Sequence, residues 1–259
     1  MFRNLTELYQ YRVLLWSLTQ RELKARYRGS ALGFLWTFLS PTLLMLVYAL
    51  LFTVYMRQNM EHYTLFMFVG LLPWIWFTSA VISGASAISD RRDLLTKVKF
   101  PPQVLPATVV LTHAMNYLLS LPLVLLLMLI SRVAPTPLLL LVPAVALLQL
   151  VFTLAIAYWV SALNVTFRDM QHIISNLMTL LFFLTPVLYP VTNVPEKYRP
   201  LVLYANPMAG FITAYQDLIY YQRLPAAGPL LSAAVVSVLM LALASHYFNA
   251  RREDFAELV

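Results

Sequence analysis

Residues 105–130 read LPATVVLTHAMNYLLSLPLVLLLMLI and lie within a window, 100–131, that contains no Asp, Glu, Lys or Arg. The hydrocarbon core of a bilayer is about 30 Å thick, and about 20 apolar residues in an α-helix cross it. The window is therefore long enough for a single crossing and too short for a second. Its composition predicts one membrane-spanning helix.

Six more windows of the chain lack charged residues, at 29–56, 62–89, 133–167, 170–195, 200–216 and 224–250. All but 200–216, which is short and contains Asn206, Pro207 and Gly210, are long enough for a span. Hydrophobic residues make up 61% of the chain and charged residues 11%, which excludes soluble, disordered and fibrous proteins. The expected fold class is an all-α integral membrane bundle in one domain, 1–259, with six spans at 33–56, 65–86, 105–130, 138–163, 173–189 and 229–248.

The 18 Lys and Arg residues indicate how these spans are oriented. Thirteen of them precede the first span, follow the last, or lie in the connections after the second and fourth spans, and the remaining five lie in the other connections. Cytoplasmic connections of membrane proteins carry an excess of basic residues, so both termini are expected in the cytoplasm. Orientation then explains the net charge of +7, and nucleic acid is not an expected partner.

The sequence lacks the groups that several classes of protein require. It has no Cys, none of its six Gly residues is followed by Lys as in a phosphate-binding loop, and its four His residues lack metal-ligand spacing. No predicted span contains a charged residue, which argues against membrane enzymes and against proton- or ion-coupled transporters. His113 lies within a span and is expected to bond inside the bundle. We therefore expect no catalytic residue, no metal ion and no cofactor in this chain.

The N-terminal segment, 1–30, is predicted to form an interfacial helix before the first span. Apolar and aromatic residues recur along one face at helical spacing, and basic residues cluster on one flank. This arrangement suits a helix that lies in the cytoplasmic headgroup layer, and the alternative is a basic anchor that only fixes orientation. The residues assigned to the interfacial helix are Trp16, Arg21, Lys24, Arg26, Tyr27 and Arg28.

The connection after the second span, 88–100, is predicted to form a short helix that ends before Pro101-Pro102. Such a helix would present an apolar ridge beside charged side chains, which favours docking of a cytoplasmic partner. The alternative is an ordinary basic loop that lies on the lipid surface. The residues assigned to coupling with the partner, including the turn after the fourth span, are Asp90, Arg91, Arg92, Asp93, Leu94, Leu95, Lys97, Arg168 and Asp169.

Aromatic side chains follow one side of the first predicted span and recur in the second and fifth. Aromatic faces can stack on sugar rings, which would suit a path for a polymer, but they also pack protein cores and membrane interfaces. Both interpretations stay open for each ring. The candidate residues of the substrate path are Phe34, Phe38, Tyr48, Phe52, Tyr55, Trp74, Phe77, Phe182, Phe183 and Tyr189.

Five short motifs, in this order, resemble one protein family. They are KARYRGSALGFLW at 24–36, GLLPW at 70–74, NVTFRD at 164–169, TPVLYP at 185–190 and Asn206-Pro207. Together they are similar to the permease subunits of type 2 ATP-binding-cassette (ABC) exporters for polysaccharides, which include exporters of O antigens, capsules and teichoic acids. Thr166 departs from this family, in which the position is often aromatic.

The resemblance implies a homodimer that binds two copies of a separate nucleotide-binding subunit, which holds ATP and Mg²⁺. The helix at 88–100 would be the coupling helix, and 195–222 would form external re-entrant helices. The expected activity is outward movement of a lipid-linked O-antigen-type polysaccharide across the bacterial cytoplasmic (inner) membrane, in contact with membrane lipid. The alternatives are an exporter of teichoic acid or capsular polysaccharide and an exporter of drugs or small lipids with the same architecture.

Overall fold

The structure is a computed structural model that describes residues 1–92, 100–252 and 255, with all of their side chains except those of Phe2 and Tyr27. Its regular secondary structure is helical, and no strand occurs among the described residues. Ten α-helices follow one another along the described parts of the chain: α1 (Phe2–Gln10), α2 (Arg12–Tyr27), α3 (Trp36–Ala49), α4 (Tyr63–Ala85), α5 (Val104–Ile130), α6 (Val142–Thr166), α7 (Met170–Leu184), α8 (Arg199–Ala205), α9 (Pro207–Ile219) and α10 (Ala227–Arg251).

Five helical stretches among the described residues are long and apolar enough to cross a membrane: Gly33–Tyr55, Tyr63–Ala85, Val104–Ile130, Pro137–Thr166 and Ala227–Arg251. The first combines a 3-10 turn, α3 and a π-helical extension, and the fourth combines a 3-10 turn with α6. The all-α integral membrane fold class is therefore confirmed. These stretches correspond to five of the six predicted spans.

The predicted fifth span, 173–189, corresponds to a shorter helix. α7 has 15 residues and therefore rises about 22 Å, which is less than the thickness of a bilayer core. The helix ends at Leu184 because Pro186 cannot donate a backbone hydrogen bond to continue it. Six complete crossings thus stay a prediction.

The core of the bundle forms around α4, whose side chains from Leu65 to Phe68 are fully buried. α4 packs against α3, α5, α6, α7 and α9, and α10 packs along α6 and α9. Two glycines let neighbours approach α4 closely. A Cβ at Gly84 would lie 3.2 Å from the Cβ of Ala157 on α6, and one at Gly70 would lie 3.0 Å from the side-chain nitrogen of Gln216 on α9.

The segment 195–222 was expected to be external and re-entrant. Asn206 separates α8 from α9, and its side-chain oxygen accepts a hydrogen bond from the backbone nitrogen of Met208 at 3.1 Å. From there α9 enters the core, where Phe211, Ile212 and Leu218 are fully buried. The second half of the segment is thus a core element and not a surface loop, and its depth in the membrane stays a prediction.

The predicted single helix over 1–30 is wrong in one respect, because the structure divides it at Tyr11, where α1 and α2 meet with φ −94° and ψ 20°. α2 packs against α5. The two halves are bonded to different parts of the bundle. Glu7 of α1 contacts Arg252 at the C-terminal end of α10, whereas Glu22 of α2 contacts Arg91 after α4.

Replacing Gly210 by alanine tests the close packing of α9 on α10. The added Cβ would lie 2.9 Å from the backbone oxygen of Pro229, so the two helices must move apart. We expect Gly210→Ala to lower the stability of the detergent-solubilised protein by about 1–3 kcal/mol, measured by thermal unfolding. Thr213→Ala is the matched control, because the Thr213 hydroxyl bonds only within its own helix. Equal stability of the two variants would contradict the packing.

Candidate functional site

Five of the candidate path residues form one continuous ring cluster. The Phe182 ring of α7 lies 5.8 Å from the ring of Tyr48 on α3 and 5.7 Å from the ring of Trp74 on α4. The rings of Trp74 and Phe77 are 5.8 Å apart, and the rings of Phe182 and Phe183 meet edge to face at 5.3 Å. Trp74, Phe77 and Phe182 are buried, whereas Tyr48 is partly exposed. α3, α4 and α7 thus meet through aromatic contacts, and part of each ring's role is packing.

A cleft of about 320 Å³ lies beside this ring cluster, between α3, α4 and α7. Four predicted path residues line the cleft: Tyr48, Trp74, Phe182 and Phe183. Hydroxyl groups share the same walls, from Thr78 and Ser79 on α4 and from Ser175 and Thr179 on α7. Aromatic faces and hydroxyl groups in one cleft can provide the apolar and hydrogen-bonding contacts that sugars offer.

The other candidate path residues do not join this cleft. Phe34 and Phe38 contact each other edge to face, with ring centroids 5.5 Å apart, near the start of the first span. Phe52 lies beside Tyr63 in a separate aromatic group, and Tyr55 is 71% exposed. Tyr189 donates its hydroxyl hydrogen to the backbone oxygen of Phe183 at 2.9 Å. The predicted stripe is therefore spread along the span and does not form one surface.

The cleft is open on one side within a single chain, because α3 and α7 are poorly covered. Only 17% of the apolar window in Gly33–Tyr55 is buried, compared with 78% in Tyr63–Ala85. On α7, Leu180 and Phe183 are more than 60% exposed. α7 also exposes the polar side chains of Asn176 and Thr179.

The residues assigned to coupling are described only in part. Asp93, Leu94, Leu95 and Lys97 lie outside the described residues, and Arg92 is exposed. Asp90 accepts a hydrogen bond from the hydroxyl of Ser86 at 2.6 Å, within the turns that follow α4. Arg91 forms an ion pair with Glu22 of α2. Burial, together with the nearby guanidinium of Arg21, lowers the pKa of Arg91.

The other residues assigned to coupling, Arg168 and Asp169, are exposed at the turn between α6 and α7. The end of α6 approaches the predicted coupling segment, because the side-chain nitrogen of Asn164 lies 3.4 Å from the hydroxyl of Ser89. The connections after α4 and α6 are therefore neighbours at this point. Docking of a partner on them stays a prediction.

The described side chains assigned to the interfacial helix are exposed on α2 and at its C-terminal end. Trp16 is 48% exposed, and Arg21, Lys24 and Arg28 are also exposed. Arg26 is also exposed, and its guanidinium contacts His113 of α5, with Nη2 and Nε2 3.2 Å apart. The expected bonding of His113 inside the protein is thus made by an N-terminal residue. The side chain of Tyr27 is outside what the structure describes.

Sequence reasoning missed two acidic residues that connect the N-terminal helices to the bundle. Glu7 accepts a hydrogen bond from the side chain of Gln103 and contacts Arg252 at 3.4 Å. Glu22 accepts a hydrogen bond from the hydroxyl of Thr112 at 3.2 Å and pairs with Arg91. They are the two acidic residues in the basic segment 1–30. Their sign, opposite to that of their neighbours, was the feature of the sequence that could have indicated contacts with the bundle.

Residues 13–220 match the family model described as ABC-2 type transporter. The chain belongs to the ABC-2 type transporter family. Similar proteins include the O-antigen export system permease protein RfbA of Myxococcus xanthus, 61% identical over 260 residues that cover all of both chains. A Klebsiella pneumoniae protein with the same name is 32% identical over 206 residues, 79% of each chain. The polysialic acid transport protein KpsM of Escherichia coli is 25% identical over 210 residues, 78% of this chain and 80% of the other.

These findings confirm the resemblance to the permeases of polysaccharide exporters. Family membership, together with the five apolar helices, indicates a multi-pass membrane protein that acts as a transport subunit and not as an enzyme. The assignments of individual residues to the path, to coupling and to the interfacial helix stay predictions.

A double-mutant cycle on Glu22 and Arg91 tests whether α2 and the turn after α4 are joined. The two side chains are 27% and 21% exposed, so we expect a coupling energy of about 1 kcal/mol in thermal unfolding. Glu22→Gln and Arg91→Gln should each destabilise the protein, and the double variant should be less stable than the wild type by less than their sum. A parallel cycle of Glu22→Gln with Arg28→Gln should be additive. Additivity in both cycles would show that the ion pair contributes nothing.

Proposed function

We propose that this chain is the membrane-spanning permease subunit of an ATP-driven exporter. It moves a lipid-linked O-antigen-type polysaccharide outward across the bacterial cytoplasmic membrane, with both termini in the cytoplasm. The 61% identity to an O-antigen export system permease over the full length of both chains carries this proposal. The cleft lined by aromatic rings and hydroxyl groups supports it, because sugar rings need both kinds of contact.

ATP hydrolysis belongs to a separate nucleotide-binding subunit, present in two copies and holding ATP and Mg²⁺. Support comes from the absence of a phosphate-binding loop in the sequence and from membership of a transporter family. The partner docks on the segment 88–100 and on the neighbouring turn at Arg168 and Asp169. Thirteen basic residues on the same side of the membrane support the cytoplasmic placement of this surface.

The complete pore contains two copies of the chain. A polar side chain that faces hydrocarbon is unfavourable, yet Asn176 and Thr179 are exposed on α7, where the Thr179 hydroxyl donates to the backbone oxygen of Ser175 at 3.1 Å. The cleft beside them is also open on one side. A second copy placed against α3 and α7 would close the cleft and surround a polar path.

A capsular polysaccharide is the second candidate substrate. The similarity to the polysialic acid transport protein of Escherichia coli favours it, although its identity of 25% is much lower than that of the O-antigen permease.

Deletion of the gene for this chain in its own organism tests the proposed function. The mutant should lose its long surface O-antigen chains and accumulate lipid-linked polymer inside the cell, as measured by gel electrophoresis of surface polysaccharide and by extraction of lipids. Reintroducing the wild-type gene should restore export. Unchanged surface O antigen in the deletion strain would overturn the assignment of substrate, and loss of capsule alone would support the second candidate.

Substitutions on α7 test whether its polar face lines the path. Thr179→Val keeps the shape of the side chain but removes the hydroxyl, and the loss of a hydrogen bond worth about 1 kcal/mol should slow export about fivefold. Leu180→Val is the matched control, since Leu180 is an exposed apolar neighbour on α7. Assembly with the ATPase, measured by co-purification, should be normal in both variants. Normal export by Thr179→Val would exclude this face from the path.

A further inference from the structure

The turn between α9 and α10, residues 220–223, joins three parts of the bundle and lies outside the proposed cleft. Tyr220 donates its hydroxyl hydrogen to the backbone oxygen of Glu61, just before α4, at 2.6 Å. Gln222 donates from its side-chain nitrogen to the backbone oxygen of Ala134, between α5 and α6, at 2.6 Å. By the proposed topology, the turn and both connections lie on the external side of the membrane. The turn is therefore fixed on the side to which the polymer is exported.

The carboxylate of Asp217, in the last turn of α9, orients one arginine of this turn. Asp217 is 6% exposed, and its Oδ1 accepts a hydrogen bond from Arg223 Nε at 2.7 Å. The backbone nitrogen of Arg223 also donates to the backbone oxygen of Asp217 at 2.9 Å. Because removing a carboxylate from water is costly, an ion pair of this kind contributes little to stability. Its clear effect is on the position of Arg223.

The Arg223 guanidinium is held at one edge and is open to solvent at the others. The side chain is 63% exposed, and its Cζ lies 4.7 Å from the centroid of the Tyr221 ring. Among the described contacts, Nε is the guanidinium nitrogen that makes a hydrogen bond, so both Nη atoms keep their donors for a ligand. Tyr221 is 37% exposed and supplies an accessible aromatic surface beside them.

Buried contacts and a strained backbone hold the turn in one conformation. The fully buried Phe66 ring of α4 meets the rings of Tyr220 and Tyr221 edge to face, at 5.4 and 6.2 Å. Gln222, between Tyr221 and Arg223, has a φ of 52°, in the left-handed region that is unfavourable for residues other than glycine. Such residues persist where the surroundings hold them, and they cluster at sites that bind ligands. The side chains of Tyr221 and Arg223 are therefore preorganised.

The charges of the turn distinguish between the ligands that an arginine beside an aromatic ring can bind. Carboxylates, phosphates and sugar hydroxyl groups all accept hydrogen bonds from a guanidinium. Here Asp217 already balances the charge of Arg223, and the exposed carboxylate of Glu61 belongs to a connection that Tyr220 contacts. An anion would gain no net attraction at this position, whereas a neutral hydroxyl oxygen needs only a donor. Aromatic surface beside N–H donors suits an uncharged sugar.

We propose that Tyr221 and Arg223 form an external binding site for uncharged saccharide units, with Asp217 as the residue that positions Arg223. The inference rests on the proposed function, because the saccharide would be part of the exported polymer. It adds to that function a contact beyond the cleft and a preference for a neutral polymer. Binding at this point would oppose the return of a sugar unit that has already left the cleft.

A local fluorescent reporter tests the site. The sequence contains no Cys, so the introduced thiol of Leu224→Cys can be labelled alone with a thiol-reactive bimane dye. Leu224 follows Arg223 and is 67% exposed, so the dye would lie beside the site. The probe is O polysaccharide released by mild acid from the surface lipid of the organism, added to the full-length protein in detergent. We expect a saturable change in dye fluorescence.

Chemical modification of the same polymer tests the preference for uncharged units. One sample is carboxymethylated, and a second is hydroxyethylated to the same degree as the neutral control. We expect the carboxymethylated polymer to bind at least about fivefold more weakly than the hydroxyethylated one, because the site offers no uncompensated positive charge. Equal affinity of the two samples would exclude the preference.

Substitutions in the labelled protein test the two assigned residues. Arg223→Gln should weaken binding of the unmodified polymer about tenfold, because hydrogen bonds from a charged donor are lost. Tyr221→Leu should weaken it about fivefold through loss of the aromatic contact. The matched controls are Lys197→Gln and Tyr198→Leu, since Lys197 Nζ also lies over an exposed tyrosine ring, at 5.6 Å. Both controls should leave the affinity within about twofold.

Two further results would overturn the proposal. A fluorescence signal that does not saturate would exclude a site beside Leu224, and equal losses in the control variants would indicate general attraction to the external surface. If Arg223→Gln fails to fold because Asp217 loses its partner, Arg223→Lys keeps the charge but lacks the planar fork. Its affinity should be intermediate, and unchanged affinity would count against Arg223 as the ligand.

The titration contains no export step, so its outcome is separable from that of the proposed function. Binding that depends on Arg223, together with intact surface O antigen in the deletion strain, would retain the saccharide site and reject export of this polymer. Loss of surface O antigen on deletion, with binding that does not depend on Arg223, would retain the exporter and reject the site.

Discussion

The close packing of α4 is the constraint on which the rest of the bundle depends. Inside a bilayer, apolar side chains gain little by leaving lipid for protein, so helices associate through close contact and through hydrogen bonds. Gly84 and Gly70 remove the side chains that would keep α6 and α9 away from α4. Two buried glutamines then donate to backbone oxygens of prolines, Gln149 to Pro73 of α4 at 2.8 Å and Gln216 to Pro186 after α7 at 2.9 Å. With α4 fixed, its aromatic and hydroxyl groups have defined positions for the cleft.

The fold class could be predicted from the sequence because it depends on a local property, the absence of charge over windows as long as a bilayer is thick. The length of α7 was less predictable, since an uncharged window continues beyond the helix end that Pro186 imposes. The same limitation applies to α9. Its window is too short for a span, but nothing local indicates that Phe211 and Leu218 are core residues.

The candidate site was predictable only as a set of residue types. Helical spacing identifies which face of a helix carries a ring, but it does not identify the neighbour, so Tyr48 and Phe52 were grouped although they contact different partners. The roles of Glu7 and Glu22 depend on residues that are 96 and 90 positions away in the chain. No pattern within a window can reveal such pairs. The basic residues of the N-terminal segment predicted a membrane surface, and the structure adds the contacts of Glu7 and Glu22 with the bundle.

The position of Glu22 on α2 has a mechanical consequence. Glu22 and Arg26 are four residues apart, so they lie on the same side of one helix, separated by about 6 Å along its axis. Glu22 pairs with Arg91 in the turn after α4, and Arg26 contacts the buried His113 of α5. α2 therefore connects the turn after α4 to α5 over a single helical turn. If a partner subunit displaced that turn, α2 would shift the Arg26 guanidinium relative to α5, and the displacement would reach a spanning helix through a helix that does not itself span the membrane.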